Sequence, residues 1–501
     1  MAFRCRGVRA VRGRALGAGE RLEDRHLLAA FVVTNLLDAG AGSLREAVTQ
    51  ANEAAGADTI RFAPALAGTI VLASGQLDVI GGLSIDGPSA TKLAVSGNDS
   101  SRIFALKGAE ARLSIDDITL SNGRATVLDP VGPGLVRGGA IRNDGGTLVL
   151  WRVTFSGNSA VSDPTQSGAA AIVGGGAVVN SGGAILRATD CTFIGNTVEG
   201  GTRYAFGGAI ANVTDARASL TRCTFTGNTA TGSTAAHGGA IGNFGASLLV
   251  VNDGTFSGNE ALGATGSVAS ASGGAIATRP GTVSTSGSRT TITAVQFRGN
   301  RAISAGGGAT GGALTNVDSS LTVSRSGFVA NEAMAGVSGE ASGGAIDASS
   351  LFGEISPLTR LGRCRFVSNQ AVGGAAGFAT GGACGNGEGT MTIDRSSFVG
   401  NVARLSLSPA AGSPVAPPGS GAYGGAIANG STPASSGEAN ATLVLRFSNV
   451  SRNHAVAGPG RTAAGGGLFN GNLAPGTSPV VRTVASRFVA NTPPGFGSVS
   501  G

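Results

Sequence analysis

The adjacent carboxylates Asp116 and Asp117 are the acidic residues whose type and spacing could support chemistry. Neighbouring acids can hold a metal ion or share a proton. The segment 113–122 superimposes on the segment 148–157, however, and this alignment places both carboxylates at a predicted chain corner. Acidic side chains are common at such corners because they form turns. We therefore expect turn formation and assign no catalytic residue.

Five arginines recur three residues before a repeated phenylalanine: Arg152, Arg222, Arg325, Arg363 and Arg395. If the repeats stack, these arginines form a discontinuous basic column on the outside of the molecule. The simpler interpretation is a solvated corner. The alternative is a polyanion-contact column, because closely spaced cations add their electrostatic fields.

The cysteines and histidines do not predict a metal or nucleophilic site. Five cysteines in 501 residues are too few for a disulfide scaffold. Cys191, Cys223, Cys364 and Cys384 occupy apolar positions of the repeat, and Cys5 precedes it. Cys191 and Cys223 fall on successive repeats, so a disulfide between them is geometrically feasible. The three histidines are scattered, and CxxC, GxSxG, HExxH and P-loop motifs are absent. We expect no metal and no cofactor.

A repeat explains where all these residues lie. The motif GGA, or its variant GGG, begins ten units between Gly138 and Gly465, which follow each other every 31 to 43 residues. Each unit closes with FxxN, except that Val450 replaces the phenylalanine once. The closing residues predict a structural asparagine ladder: Asn158, Asn196, Asn228, Asn259, Asn300, Asn331, Asn369, Asn401, Asn453 and Asn491. Repetition at this period is typical of a solenoid.

Alternation within each unit predicts strands. Leu148 and Leu150 alternate with polar residues, and Val153 and Phe155 continue the apolar set after a shift of one position at the corner. Each unit is thus predicted to contain three short strands, two corners and a loop of 9 to 22 residues. Stacked units give an all-β, single-stranded parallel β-helix (a solenoid), and the general crossover rule favours a right-handed winding.

The N-terminal region differs from the repeats. Residues 1–30 contain seven arginines and three acids, and they are predicted to be an export leader or a disordered segment. Ser43 and Glu46 form a capping box, which predicts a short capping helix from there to about Ala55. Such a helix would cover the open first coil. The predicted domains are 1–30, the cap and first coils 31–137, the ten coils 138–491, and a tail 492–501.

The segment VTNLLDAGAGSLREAVTQANEAAGADTIRFA resembles the CSLREA module that opens many bacterial surface β-helix proteins. Gly42 stands where that module has its cysteine. The GGAI and FxxN motifs are similar to the repeats of polymorphic outer-membrane proteins. The resemblance covers nearly all of residues 31–491 and implies a right-handed parallel β-helix on a secreted or surface protein, often linked with adhesion.

The functional prediction from sequence is a non-enzymatic adhesin or matrix-binding rod, extracellular or on a bacterial cell surface. The formal net charge of +7 is concentrated in residues 1–30, so no nucleic-acid partner is expected. The expected partners are an extracellular polysaccharide or a host or neighbouring surface protein. We expect a monomer and no transmembrane helix. Two alternatives remain: a polysaccharide lyase or glycoside hydrolase that uses Asp116, Asp117 and the corner arginines, and a purely structural envelope component.

Overall fold

The computed structural model describes residues 29–126, 135–162, 172–201, 204–264, 269–281, 287–351, 355–406, 420–430, 441–458, 461–471, 479–493 and 496–497. Almost all of the predicted leader lies outside these ranges, as does most of the predicted tail. The described chain winds into stacked coils whose strands form five parallel sheets, and it contains one α-helix. The structure therefore confirms the predicted parallel β-helix with a capping helix.

One coil contains five short strands, and we number the sheets in their order after GGA. In the first regular coil, Ile141–Asp144 belongs to sheet 1, Thr147–Trp151 to sheet 2, Thr154–Ser156 to sheet 3 and Ser159–Val161 to sheet 4. Ile172–Gly174, in sheet 5, leads to the next GGA. The prediction of three strands per coil was incomplete, because sheets 4 and 5 lie in segments predicted to be loops. Their strands have only two to four residues and bury mainly alanine, so their alternation is weak.

Sheets 1 to 3 extend along nearly the whole described chain. The strands of sheet 1 are Leu77–Val79, Phe104–Lys107, Ile141–Asp144, Val178–Ser181, Ile210–Val213, Ile241–Phe244, Ile276–Arg279, Leu314–Val317, Ile346–Ser349, Cys384–Asn386, Ile427–Asn429, Leu468–Asn470 and Phe496–Gly497. Those of sheet 2 are Ala30–Val33, Ala57–Phe62, Gly82–Asp86, Arg112–Asp116, Thr147–Trp151, Ile185–Thr189, Arg217–Thr221, Leu248–Asn252, Arg289–Thr293, Ser320–Ser324, Leu358–Gly362, Thr390–Asp394, Thr442–Arg446 and Val480–Val484. Those of sheet 3 are Gly68–Val71, Leu93–Ser96, Thr119–Ser121, Thr154–Ser156, Thr192–Ile194, Thr224–Thr226, Thr255–Ser257, Gln296–Arg298, Gly327–Val329, Arg365–Val367, Ser397–Val399, Asn449–Ser451 and Arg487–Val489.

Sheets 4 and 5 are shorter. The strands of sheet 4 are Arg124–Ala125, Ser159–Val161, Thr197–Glu199, Thr229–Gly232, Glu260–Gly263, Arg301–Ser304, Glu332–Met334, Gln370–Gly373, Val402–Leu405 and His454–Val456. Those of sheet 5 are Leu135–Arg137, Ile172–Gly174, Tyr204–Phe206, Ala235–His237, Ser270–Ser272, Ala309–Thr310, Ala341–Ser342, Ala379–Thr380, Gly421–Tyr423 and Thr462–Ala464. With fourteen strands in sheet 2, the stack is roughly 60 Å long at the usual strand spacing.

The bore of the β-helix is filled by side chains stacked in register. Neighbouring rings from Phe155 to Phe398 lie 4.5–5.1 Å apart between centroids and are close to parallel. The asparagines of FxxN form a continuous buried ladder from Asn158 to Asn491, in which each side-chain amide donates to the next side-chain oxygen at 2.8–3.0 Å. The amides also donate to a backbone carbonyl of the preceding coil, as Asn196 does to Phe155. The ladder thus satisfies the polar groups of a tight corner inside the fold.

The helix Leu44–Glu53, which we call α1, covers the first coil. The hydroxyl of Ser43 accepts from the Glu46 backbone amide at 3.2 Å, and the Glu46 carboxylate accepts from the Gly42 amide at 2.6 Å, so the predicted capping box forms. Leu44, Ala47, Val48 and Ala51 are buried against the apolar bore. Among the described residues, no helix has the length and apolar character that crossing a membrane requires.

Candidate functional site

The corner between sheets 2 and 3 contains all the charged residues that the sequence singled out. Residues at the ends of the sheet 2 strands lie in register, each the last of its strand except Arg61, which is the last but one. We call them the strand-end column: Arg61, Asp86, Asp116, Trp151, Thr189, Thr221, Asn252, Thr293, Ser324, Gly362, Asp394, Arg446 and Val484. The next residues form the corner column: Asp117, Arg152, Asp190, Arg222, Asp253, Ala294, Arg325, Arg363, Arg395, Phe447 and Ala485.

Every residue of the corner column has a positive φ, between 45° and 57°. This left-handed conformation turns the chain sharply and is uncommon for residues other than glycine, asparagine and aspartate. It explains the shift in alternation that the sequence shows before Phe155. Repeated on consecutive coils, it aligns the charged corner side chains along one edge of the molecule.

The N-terminal half of the corner column is a ladder of alternating charge. Arg152 Nε and Nη2 donate to the two oxygens of Asp117 at 2.7 and 2.5 Å, and Arg222 donates in the same way to Asp190 at 2.7 Å for both bonds. These hydrogen bonds lower the pKa of Asp117 and that of Asp190. Arg152 and Arg222 are therefore neutralised locally, which the sequence-based description of a basic column did not anticipate.

Asp116 has a different environment from Asp117 although the two are adjacent. Asp116 lies in register between Asp86 and Trp151 on neighbouring strands of sheet 2. Partial burial, the charge of Asp86 and the charge of Asp117 raise the pKa of Asp116, and Arg152 partly opposes this rise. Within the described chain, the Asp116 carboxylate accepts no hydrogen bond. Its environment therefore disfavours the charged form relative to a free aspartate, and its oxygens are not occupied by donors of the described chain.

Asp86 is held by donors. Its carboxylate accepts from Arg61 Nε at 3.3 Å and from Ser84 Oγ at 3.1 Å. The indole of Trp151, 48% exposed, lies on the other side of Asp116, and the Arg152 guanidinium lies 4.9 Å from its ring centroid. Two carboxyl groups one strand apart, in unlike environments and beside an exposed aromatic ring, can act as an acid and its partner base on a sugar.

Sequence analysis missed Asp86 although a signal was present. The tetrapeptide Leu-Ser-Ile-Asp occurs at 83–86 and again at 113–116, which places both aspartates at one position of consecutive coils. The interpretation of Asp116 and Asp117 as a simple turn pair considered only neighbours in sequence. The pairing that matters for Asp116 is across strands.

The remaining predicted arginines lie farther along the corner column. Arg325, Arg363 and Arg395 are on three consecutive coils and exposed. Arg395 donates to Asp394 at 3.1 Å. No ion pair forms at Arg325 or Arg363 within the described residues.

His237, Ser272 and Arg279 form a buried cluster in sheets 5 and 1. His237 Nδ1 lies 2.5 Å from Ser272 Oγ, and Arg279 Nη1 lies 2.6 Å from His237 Nε2. A guanidinium only donates, so Nε2 accepts and Nδ1 donates to the serine hydroxyl. Burial and the Arg279 charge hold the pKa of His237 well below its usual value. His237 therefore cannot accept the serine proton, and the cluster is not a nucleophilic pair.

Buried acids also lie on consecutive coils near the C-terminal half. Asp347 accepts hydrogen bonds from the hydroxyls of Ser342 and Ser349, and burial raises its pKa to about 6. The hydroxyl of Ser350 donates to Asp318 at 2.5 Å. Burial and the nearby Asp318 raise the pKa of Glu388. These acids come from different coils, so they are far apart in the sequence.

The four described cysteines, Cys191, Cys223, Cys364 and Cys384, are buried free thiols. Cys191 and Cys223 are neighbours on successive coils, but no disulfide joins them. The Cys223 thiol and burial raise the pKa of Cys191. No group of three or more histidine, cysteine or acidic side chains suited to a metal ion occurs in the described ranges.

No family model matches the chain, and no curated protein matches it. Solved structures do resemble it in fold. A mannuronic-acid-specific polysaccharide family 6 lyase from human gut microbiota is 11% identical, with a TM-score of 0.38, and the match covers 95% of this chain and 91% of the lyase. The catalytic unit of an alpha-1,3-glucanase from Streptomyces thermodiastaticus is 13% identical (TM-score 0.32; 91% and 68% covered). The Dettilon tailspike protein is 10% identical (TM-score 0.35; 89% and 65% covered).

These neighbours correct the prediction that the chain is not an enzyme. The lyase and the glucanase are, by their names, polysaccharide-cleaving enzymes. A regular β-helix is compatible with a carboxylate pair on adjacent strands, such as Asp86 and Asp116. At these identities the likeness shows the fold and does not identify a substrate for this chain.

Proposed function

We propose that this protein cleaves a polysaccharide at the strand-end column, with Asp116 as the general acid and Asp86 as the partner carboxylate. The observation that carries the proposal is their register on adjacent strands of sheet 2 combined with the raised pKa of Asp116. The residue that donates a proton to a glycosidic oxygen must stay protonated near neutral pH, and a raised pKa favours that state.

The geometry suits a different catalytic role for each of the two carboxyl groups. Adjacent strands place the two Cα atoms about 4.8 Å apart, which is compatible with the separation of about 5–5.5 Å between the carboxyl groups of retaining glycosidases. Asp116 would donate its proton to the leaving oxygen. Asp86, which accepts hydrogen bonds from Arg61 and Ser84, would attack or stabilise the anomeric carbon. The exposed face of Trp151 would stack against an adjoining sugar ring.

The location that we propose is extracellular or on the cell surface. Support comes from the arginine-rich N-terminal segment, and from the resemblance of 33–63 and of the GGAI and FxxN motifs to CSLREA-type and polymorphic outer-membrane-protein repeats. An extended polysaccharide is a substrate that such a protein would meet outside the cell. We propose membership of that group on the same grounds.

The test measures polymer length. The purified full chain is incubated with a panel of neutral and anionic polysaccharides, and the products are separated by size exclusion. We expect at least one polymer to be shortened, and Asp116→Asn to lower the rate by roughly 10²- to 10⁴-fold, the usual range for general-acid catalysis.

Asp253→Asn is the matched control, because Asp253 is an exposed aspartate of the corner column that lies four coils from Asp117. It should leave the rate unchanged. If the wild-type chain shortens no polymer, or if Asp116→Asn cleaves as fast as wild type, the proposal is wrong.

A further inference from the structure

The C-terminal half of the corner carries a cluster of arginines that the carboxylate pair does not use. Five exposed arginines, which we call the cationic strip, lie on four consecutive coils: Arg325, Arg363, Arg365, Arg395 and Arg446. Arg325, Arg363 and Arg395 belong to the corner column. Arg365 begins a strand of sheet 3 and Arg446 ends one of sheet 2, so both flank that column.

Negative charge is scarce beside the strip. In the N-terminal half of the corner column every arginine stacks beside an aspartate, whereas the C-terminal half continues from Ala294 through three arginines to Phe447. Asp394, which pairs with Arg395, is the acid that flanks the strip in the described strands. Only the C-terminal half therefore presents a field strong enough to attract an external anion.

The strip also has room for a ligand. Gly362 lies in register between Ser324 and Asp394, immediately before Arg363. A Cβ atom placed on Gly362 would meet no atom within 4 Å. The surface between the arginine side chains is thus open at this point.

From these observations we propose that the cationic strip binds a linear anionic polysaccharide, specifically a polyuronate, whose chain runs parallel to the axis of the β-helix. Successive corner arginines are one strand spacing apart, about 4.8 Å, and each sugar of an extended uronic-acid chain advances by a similar length. The carboxylates on the side of the polymer that faces the strip can therefore meet guanidinium groups of the strip. Arginine suits this role because its planar donors bind a carboxylate in a bidentate manner.

Nucleic acid fits the strip less well. Duplex DNA carries one charge per about 1.7 Å of its axis, which does not match one cation per coil. Single-stranded nucleic acid is usually bound by stacking its bases on exposed aromatic rings. The exposed ring beside the strip, Phe447, already lies under the Arg395 guanidinium, 5.6 Å from its carbon.

The strip and the carboxylate pair lie on the same edge of the molecule. Arg325 is six coils from Asp117 along the corner column, or about 29 Å. A polyuronate long enough to span this distance could contact both. The binding proposal does not depend on cleavage, since it rests on charge, register and exposure at the strip alone.

The experiment measures binding of polygalacturonate to the Asp116→Asn protein, so that cleavage cannot alter the result. We compare it with the triple variant Arg325→Gln, Arg363→Gln and Arg395→Gln in the same background. We expect the triple variant to bind about tenfold more weakly or worse, because charge-assisted bidentate contacts are lost. Gly362→Asp should also weaken binding, since it adds a negative charge at a position with free space.

The matched control removes three exposed arginines from other parts of sheet 2: Arg187→Gln, Arg217→Gln and Arg289→Gln. It should bind polygalacturonate as the parent does, and neutral dextran should not bind either protein. An equal loss in both triple variants, equal binding of dextran, or tighter binding of a DNA oligonucleotide would each overturn the proposal. Failure of binding leaves the cleavage test unaffected, so the two proposals can fail separately.

Discussion

The side-chain amide of Asn316 donates a 3.0 Å hydrogen bond to the hydroxyl of Thr359. This bond takes the place of the one that Asn316 would otherwise donate to an asparagine of the next coil in sheet 1. In sheet 1, asparagines on successive coils bond to each other, as Asn180 does to Asn212 at 2.8 Å. Ala348 interrupts that ladder, and Thr359, at a sheet 2 position held by leucine in the adjacent coil, supplies the acceptor.

The same replacement occurs once more. Thr278 stands where the ladder would have an asparagine, and the Asn243 amide donates instead to Thr290 at 3.0 Å. The side-chain oxygen of Asn386, which follows Ala348, is buried and has no hydrogen-bond partner among the described residues. The hydrogen bonds of the sheet 1 asparagines thus depend on which side chain occupies the neighbouring position of sheet 2.

We predict that Thr359→Val lowers the free energy of unfolding by about 1–3 kcal/mol, because it leaves the buried amide of Asn316 without that acceptor. The double variant Ala348→Asn with Thr359→Leu should recover most of the loss, since it recreates the arrangement of Asn243 beside Leu249. Chemical denaturation measures both. If the effects of Ala348→Asn and Thr359→Leu on the free energy of unfolding are additive, the predicted coupling between these positions is wrong.

We predict that Asp347→Asn stabilises the protein more at high pH than at low pH. The pKa of Asp347 in the folded state is about 6, against 3.8 for the free group, so ionisation of Asp347 destabilises the folded state. This destabilisation is absent below pH 3.8, grows between pH 3.8 and about pH 6, and is complete above about pH 6. It amounts to about 3 kcal/mol. Unfolding free energies of both proteins at about pH 4 and about pH 8 measure it, and a difference that does not change with pH would contradict it.

We predict that substitutions of two neighbouring residues shift the pKa of Asp116 in opposite directions. Asp86→Asn removes a like charge and should lower that pKa, whereas Arg152→Gln removes an opposing cation and should raise it. The titration of the Asp116 carboxyl carbon, assigned by comparison with Asp116→Asn, gives the result by NMR. Shifts of the same sign would show that the local charges do not control this group.

We predict that Phe328→Ala lowers the free energy of unfolding by about 3–5 kcal/mol, because it leaves a cavity between two stacked rings. The centroids of Phe297 and Phe366 lie 4.9 and 4.7 Å from that of Phe328. Phe328→Leu should cost less, since the column already accepts the aliphatic Val450. A loss below about 1 kcal/mol for Phe328→Ala would indicate that the stack relaxes to fill the space.

We predict that the described thiols do not react in the native protein. All four are buried, so a reagent in solution does not reach them. Burial also raises the pKa of Cys364 to about 11, so little thiolate forms at that residue near neutral pH. A Cys5→Ser variant treated with a thiol reagent should incorporate no label when folded and four labels after unfolding. Native labelling would show that the coils open locally.

The sequence determined the repetitive part of the structure. The spacing of GGA and FxxN fixed the coil, because each buried phenylalanine and asparagine needs the same neighbour on the next coil. The capping box at Ser43 and Glu46 predicted α1, since helix capping depends on local backbone amides. Such features need only the chain's own period or a few adjacent residues.

Tertiary structure decided which charged residues face each other. Asp116 meets Asp86 and Trp151 only because three coils align in register, although its neighbour in sequence is Asp117. The same stacking pairs Arg152 with Asp117 and leaves Arg363 among other arginines, so one repeat position has two electrostatic roles. Charge interactions depend on distance through space, and in a β-helix the nearest side chains are about thirty or more residues apart in sequence.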